Sequence, residues 1–146
     1  MAKKIWHEHY GSILEHDHID YMLQEFQSPN AIGEQINNGY CYCILSADDA
    51  DIGYISYVLH DTYLYLSKFY ILEEHRGNGY GRYVIEQLKD VCRDNSLSEI
   101  RLNVNKYNSD SISAYKNIGF KTVDEEVIDI GGGYVMDDYV MSLEVE

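Results

Sequence analysis

The chain has 146 residues, 25 acidic and 11 basic, for a formal net charge of -14, with 45% apolar residues and a single proline. That length and apolar content fit one ordinary domain with a real core and exclude a disordered chain. The acidic balance repels phosphate backbones, so a nucleic-acid module would need a strong local basic patch, and none is visible.

The opening MAKKIWHEHY lacks the apolar stretch of a signal peptide, and no window approaches the roughly 20 apolar residues of a membrane span. A soluble, cytoplasmic protein with neither a membrane nor a nucleic-acid partner is the expectation. Cys41, Cys43 and Cys92 are an odd number without framework spacing, which suits a reducing compartment. All three read as core residues; Cys41 and Cys43 share one face of an expected strand, which leaves a metal or redox pair open.

No repeat, low-complexity tract or linker divides the sequence, so residues 1–146 are expected to form a single domain. A short strand is expected near Ile5 to Tyr10 and a helix from Ser12 to Phe26, broken at Ser28-Pro29-Asn30. A second helix is expected from Ala31 to Asn38, ended by Asn38-Gly39. Strands at Tyr40 to Leu45, Ile52 to Leu59 and Tyr63 to Leu72 follow, with Asp48-Asp49 and His60-Asp61 in the turns, as in an antiparallel meander.

From Gly79 to Arg93 the period changes: Val84, Ile85, Leu88, Val91 and Cys92 share one face and Arg82, Glu86, Lys89 and Arg93 another, which predicts the main helix. A strand at Ile100 to Val104, a helix at Asp110 to Ile118, and two closing strands at Phe120 to Ile130 and Tyr134 to Val145 complete the series. The order predicts a mixed α+β fold with one partly parallel strand pair across the main helix.

Arg76-Gly77-Asn78-Gly79-Tyr80-Gly81 stands between a strand and the main helix. Alternate glycines let backbone N–H groups converge on an anion at a helix N-terminus, although a tight turn without a ligand explains the same residues. It is no Walker loop, since Arg82-Tyr83 follows where Lys and Ser/Thr would stand, and its G-x-G-x-G spacing departs from the dinucleotide fingerprint. Downstream lie Asn108-Ser109-Asp110-Ser111 and Tyr115-Lys116-Asn117-Ile118-Gly119-Phe120.

The pairing of R-G-x-G-x-G with a later N-x-x-S-x-x-x-Y-x-x-x-G-F resembles the GNAT superfamily of N-acetyltransferases, over residues 31 to 145. Lys68-Phe69-Tyr70-Ile71-Leu72 and Tyr134-Val135-Met136-Asp137-Asp138-Tyr139 further resemble bacterial polyamine and small-amine acetyltransferases. The resemblance implies a mostly antiparallel sheet splayed at a bulge, flanked by about four helices, with the pantetheine of acetyl-CoA lying in the opening. It implies that the backbones of Phe69 and Ile71 pair with pantetheine and that Arg76, Gly77, Asn78, Gly79, Tyr80, Gly81 and Arg82 hold the pyrophosphate. By the same resemblance Asn108 and Ser111 contact the cofactor arm and Tyr115 sits beside the sulfur. Glu73 stands where many members have proline. Ser67 stands where eukaryotic diamine acetyltransferases place a glutamate, so the general base is left unassigned.

An alkylammonium with a pKa near 10.4 must lose a proton before it can attack a thioester, at a cost of about 4–5 kcal/mol at neutral pH. Tyr115 is the expected donor to the leaving thiolate, with a half-buried packing aromatic as its other reading. Asp137, Asp138, Glu25, Glu34 and Tyr70 are candidates for the base or for a water relay to it; the carboxylates also read as solvated surface groups and Tyr70 as a core aromatic. His7, His9, His16 and His18 read as surface histidines, and no metal is expected. The fifteen tyrosines read as packing and rim residues, since basic neighbours are scarce.

The expected function is acetyl-CoA-dependent acetylation of a cationic small amine such as a polyamine. Acetylation of a protein N-terminus or lysine, and a non-catalytic acyl-CoA-binding module, are the alternatives; a homodimer is common in the superfamily. Charge is segregated along the chain: residues 1–75 carry 3 basic and 12 acidic side chains, residues 76–121 carry 8 and 5, and residues 122–146 carry 0 and 8. The one positive block holds the glycine turn and Tyr115, and the acidic flanks fall where a cationic acceptor would dock or simply aid solubility.

Overall fold

Strand and helix formation follow the two hydrophobic periods of the sequence, and the structure, a computed structural model, describes residues 29–146. The expected first strand and first helix, the four histidines His7, His9, His16 and His18, and Glu25 lie outside the described residues.

In chain order the elements among the described residues are α1 (Pro29–Asn37), β1 (Cys41–Ala47), β2 (Ala50–Leu59), β3 (Tyr63–Ile71), a 3-10 turn (Glu73–His75), α2 (Tyr80–Asp94), β4 (Glu99–Asn105), α3 (Ser109–Ile118), β5 (Lys121–Gly131) and β6 (Tyr134–Glu144). Pro29, expected to break a helix, begins α1, a position where a missing N–H costs nothing. Asp48 and Asp49 both take positive φ, 52° and 65°, which matches the twist of the two-residue β1–β2 hairpin.

The six strands form one sheet in the order β1-β2-β3-β4-β6-β5. Every neighbouring pair is antiparallel except β3 with β4, which are joined through the α2 crossover and run parallel. Leu64, Leu66, Ile100, Leu102, Val104, Met141 and Leu143 project from one sheet face against Val84, Ile85, Leu88 and Cys92 of α2, and Phe120 closes the same core. The α2 face read from the sequence is therefore the buried one, with Val91 at its margin.

Two irregularities shape the centre of the sheet. Between β2 and β3 the register runs Tyr57 to Leu66 and then Ser56 to Lys68, so Ser67 is an extra residue and β3 reverses its faces there. Between β3 and β4 pairing covers only Tyr63 to Leu66 against Glu99 to Leu102, although β3 continues to Ile71 and β4 to Asn105. The strands part just where the bulge falls, which is the splayed strand that the resemblance implied. β4 keeps its full pairing with β6 beyond the fork, so β3 is the strand that turns away.

Cys41 and Cys43 are exposed and only Cys92 is buried, which corrects the expectation that all three are core residues. Among the described residues β1 is the edge strand of the sheet, and the strand period alone carried no information about what covers its faces.

Candidate active site

The glycine turn acts through its backbone. Gly77 and Gly79 take φ of 80° and 79°, a left-handed conformation open to glycine at little cost, and Gly79 caps α2 without any side-chain bond. The first amides of α2 are thus left facing outward at the positive end of the helix dipole. Gly81 lies within the first turn of α2 itself. Arg76 Nε donates to the Ile71 carbonyl at 2.9 Å and Asn78 Nδ2 to the His75 carbonyl at 3.1 Å, tying the turn to the end of β3.

The N-terminus of α3 faces the same space. Asn108, buried, accepts from the Ser111 N–H at 3.3 Å and caps α3, and Arg82 Nη2 donates to the Asn117 carbonyl at 3.0 Å, holding α2 and α3 together. Between them runs a groove of about 780 Å³ bordered by Ile71, Arg76, Gly77, Gly79, Tyr80, Gly81, Arg82, Asn108 and Ser111. Nine of the twelve site residues expected from the sequence thus border this groove and Asn78 bridges the turn beside it; the other two, Phe69 and Tyr115, line the inner cleft.

That cleft occupies the fork between β3 and β4. Leu66, Ser67, Phe69, Tyr70, Leu102, Asn103, Val104, Asn108, Ser111 and Tyr115 line it. Tyr115 is half-buried, with its ring 6.5 Å from Phe69 and 5.5 Å from Phe120 between centroids. The Leu72 N–H donates to the Ile52 carbonyl at 2.7 Å, toward β2, so the alternation of a strand turns the N–H groups of Ile71 and Phe69 the other way, into the opening.

On the sheet face away from α2 and α3 lie two polar clusters. In the first, buried Lys68 donates to Gln35 Oε1 at 2.9 Å and to the Tyr42 hydroxyl, which in turn bonds Gln35, joining α1, β1 and β3. Burial pushes the Lys68 ammonium down to about 8. In the second, Tyr65 donates to Asn103 Oδ1 at 3.0 Å, and Asn103 Nδ2 donates to Asp138 at 3.3 Å and Glu126 at 3.2 Å. Asp138, a base candidate that also read as a surface group, is 3% exposed, and burial pushes its carboxyl up to about 6. Asp137 is instead engaged by Lys106 at 2.9 Å, and Glu34 is exposed on α1. Tyr70 is half-buried and packs on Tyr54 at 5.3 Å.

Sequence reasoning missed Lys68, Tyr65, Asn103 and Glu126 as members of these clusters. Asn103 alternates with inward Leu102 and Val104 and so reads as solvent-facing; only the bend of the sheet and the arrival of β6 bury its surroundings.

A sequence model of the acetyltransferase (GNAT) family matches residues 3–120. This chain belongs to that family. A thialysine N-epsilon-acetyltransferase of Sus scrofa is 30% identical over 79 residues, 51% of this chain and 46% of that protein. The chain spans less than half the length of the thialysine acetyltransferases it matches. A spermidine N(1)-acetyltransferase of Thermoplasma acidophilum is 22% identical over 142 residues, 94% of this chain and 86% of that one. Among solved structures, PaiA N-acetyltransferase of T. acidophilum in complex with coenzyme A superimposes with a TM-score of 0.79 at 22% identity, over 98% of this chain and 87% of that one. The GNAT fold, a mixed six-stranded sheet with three helices among the described residues, is the fold of this chain.

Proposed function

We propose that this GNAT chain is a single-domain N-acetyltransferase that moves an acetyl group from acetyl-CoA to a cationic primary amine, with polyamines as the preferred class. The observation that carries this reading is the fork between β3 and β4, which joins an amide-lined glycine turn to a cleft ending at Tyr115. The residues present suit the donor. The left-handed Gly77 and Gly79 and the α2 N-terminus offer converging amides to a pyrophosphate, and Arg76 and Arg82 add charge beside it. The N–H groups of Phe69 and Ile71 offer an unpaired strand edge to pantetheine.

Acetyl-CoA supplies the activated acyl group as a thioester. Ile71 N–H stabilises the oxyanion as the amine attacks, and the Tyr115 hydroxyl protonates the departing thiolate. The acceptor class rests on charge: the block from 122 to 146 has 8 acidic side chains and no basic one, and the spermidine acetyltransferase relative is aligned along nearly the whole chain.

The test is free-CoA release across a panel of diamines, polyamines, monoamines and peptides, with kcat/KM for spermidine compared at 20 and 300 mM salt. Spermidine should outperform a monoamine, and its KM should rise with salt as the field is screened over about 8–10 Å. Equal efficiencies with no salt dependence would move the acceptor toward an uncharged amine or a peptide.

A further inference from the structure

Tyr65, Asn103, Asp138 and Glu126 come from four different strands and meet at the point where the sheet divides. Leu66 and Leu102 form the last parallel pair, so Tyr65 lies one residue before the fork and Asn103 one residue beyond it. Leu64, Leu66, Leu102 and Val104 face the core under α2, and the alternation of side chains turns Tyr65 and Asn103 to the opposite face. Asn103 also lines the inner cleft, with Tyr115 on the α3 side of the same space. With both carboxylates ionised the Asn103 amide is oriented by its partners: its oxygen accepts from Tyr65, and its nitrogen donates to both Asp138 and Glu126.

Two carboxylates that share one amide nitrogen are separated by no more than the sum of their bonds to it, 3.3 and 3.2 Å. One is buried and the other exposed, so the pair forms an anionic seat that meets solvent at Glu126 and adjoins the cleft through Asn103, the member of the cluster that lines it. Resting on the acetyltransferase reading, we infer that Asp138 is the base that takes the proton of the acceptor ammonium, and that Glu126 holds that ammonium by charge while Tyr65 and Asn103 fix both carboxylates at the fork.

The proton balance closes. R–NH3+ gives one proton to the Asp138 carboxylate; the freed lone pair forms the N–C bond to the acetyl carbonyl; the C–S bond breaks. The thiolate takes the Tyr115 proton, and the proton lost by the acylated nitrogen restores Tyr115. Asp138 then releases its proton to water, leaving R–NH–CO–CH3, CoA–SH and one H+.

The electrostatics agree with the task. Burial and the neighbouring carboxylates Glu126 and Asp137 raise the Asp138 carboxyl, while the bond from Asn103 and the Lys106 ammonium oppose that rise. Lys106 is itself occupied, at 2.9 Å from Asp137 and 3.3 Å from Glu125. Tyr65 stays protonated, its hydroxyl pushed upward by burial and by Asp138 and Glu126, so it remains a donor throughout. A carboxyl near 6 is ionised at neutral pH yet far more basic than an exposed aspartate.

The experiment compares wild type with Asp138→Asn, Asp138→Glu and Glu126→Gln, with thermal melting and acetyl-CoA calorimetry verifying each fold. Wild-type kcat/KM for spermidine should fall about tenfold per pH unit below roughly 6. Asp138→Asn should lose that limb and about 10²-fold in kcat with acetyl-CoA affinity kept. Asp138→Glu should recover part of the limb, and Glu126→Gln should raise the spermidine KM several-fold at nearly constant kcat. Wild-type kcat and an unchanged acid limb in folded Asp138→Asn would overturn the assignment while leaving the acetyltransferase reading intact. If wild type releases CoA with no amine, the acetyltransferase reading fails, and carboxylate NMR of Asp138 decides the seat by itself. A fall in its titration point on adding spermidine supports it, and an unmoved titration overturns it.

Discussion

Gly53 lies so close to Tyr70 that a Cβ at Gly53 would fall 2.1 Å from the Tyr70 carbonyl oxygen. Opposite it in the ladder stands Ile71, whose carbonyl holds Arg76 and whose N–H turns into the fork. The end of β3 is drawn onto β2 at this point, away from β4. Glycine is thus required by close approach, since its φ is not left-handed.

Gly53→Ala should force β2 and β3 apart at the residues that border the donor groove. Overpacking of this kind costs about 1–3 kcal/mol. The expected outcome is a melting temperature lower by several degrees and an acetyl-CoA Kd raised about tenfold, since the displaced atoms include the Ile71 backbone. An unchanged Kd would separate this contact from the donor site.

Gly79→Val tests the amide cradle. A β-branched side chain at φ of 79° is strained by about 1–2 kcal/mol and occupies the space before the α2 amides. Acetyl-CoA binding should fall at least 100-fold by calorimetry while the far-ultraviolet spectrum is retained. Gly81→Ala serves as its partner: the added Cβ meets only the Phe69 ring, at 3.8 Å, so this variant should fold as wild type, and any loss of affinity reads crowding of the groove.

Tyr115→Phe keeps the ring contacts with Phe69 and Phe120 and removes only the hydroxyl. If that hydroxyl protonates the thiolate, kcat should drop about 10²-fold with acetyl-CoA affinity unchanged. A wild-type kcat would return Tyr115 to a packing role.

Lys68 makes the stability of the fold depend on alkaline pH. Its folded value near 8 lies below the ordinary 10.5, so between those values the unfolded chain binds more protons and stability rises with pH. Above about 10 the half-buried tyrosines Tyr42, Tyr57 and Tyr65, raised by partial burial, act in the opposite direction. Urea unfolding should therefore show a gain from pH 8 to 10 in wild type that is absent in Lys68→Met. A parallel rise in both proteins would assign the effect to another group.

Of the two carboxylates in the first half of β6, neighbours in sequence and alike in charge, Asp137 meets a lysine and Asp138 is buried beside an amide. Nothing local distinguishes them, because strand period assigns opposite faces without saying which face is covered. The same limit explains Cys41 and Cys43, placed correctly on one strand face and found exposed there. By contrast the glycine turn, the α2 face and the Tyr115 helix were legible, since each is written in residues within one element: left-handed positions need glycine, and a helix repeats its apolar side chains every three to four residues. The sequence by itself determined these elements and the family. Only the tertiary structure decided the bulge at Ser67, the fork beyond Leu66 and the meeting of Tyr65, Asn103, Glu126 and Asp138, because those depend on register between strands far apart in the chain, where one residue of slip exchanges the faces of a whole strand.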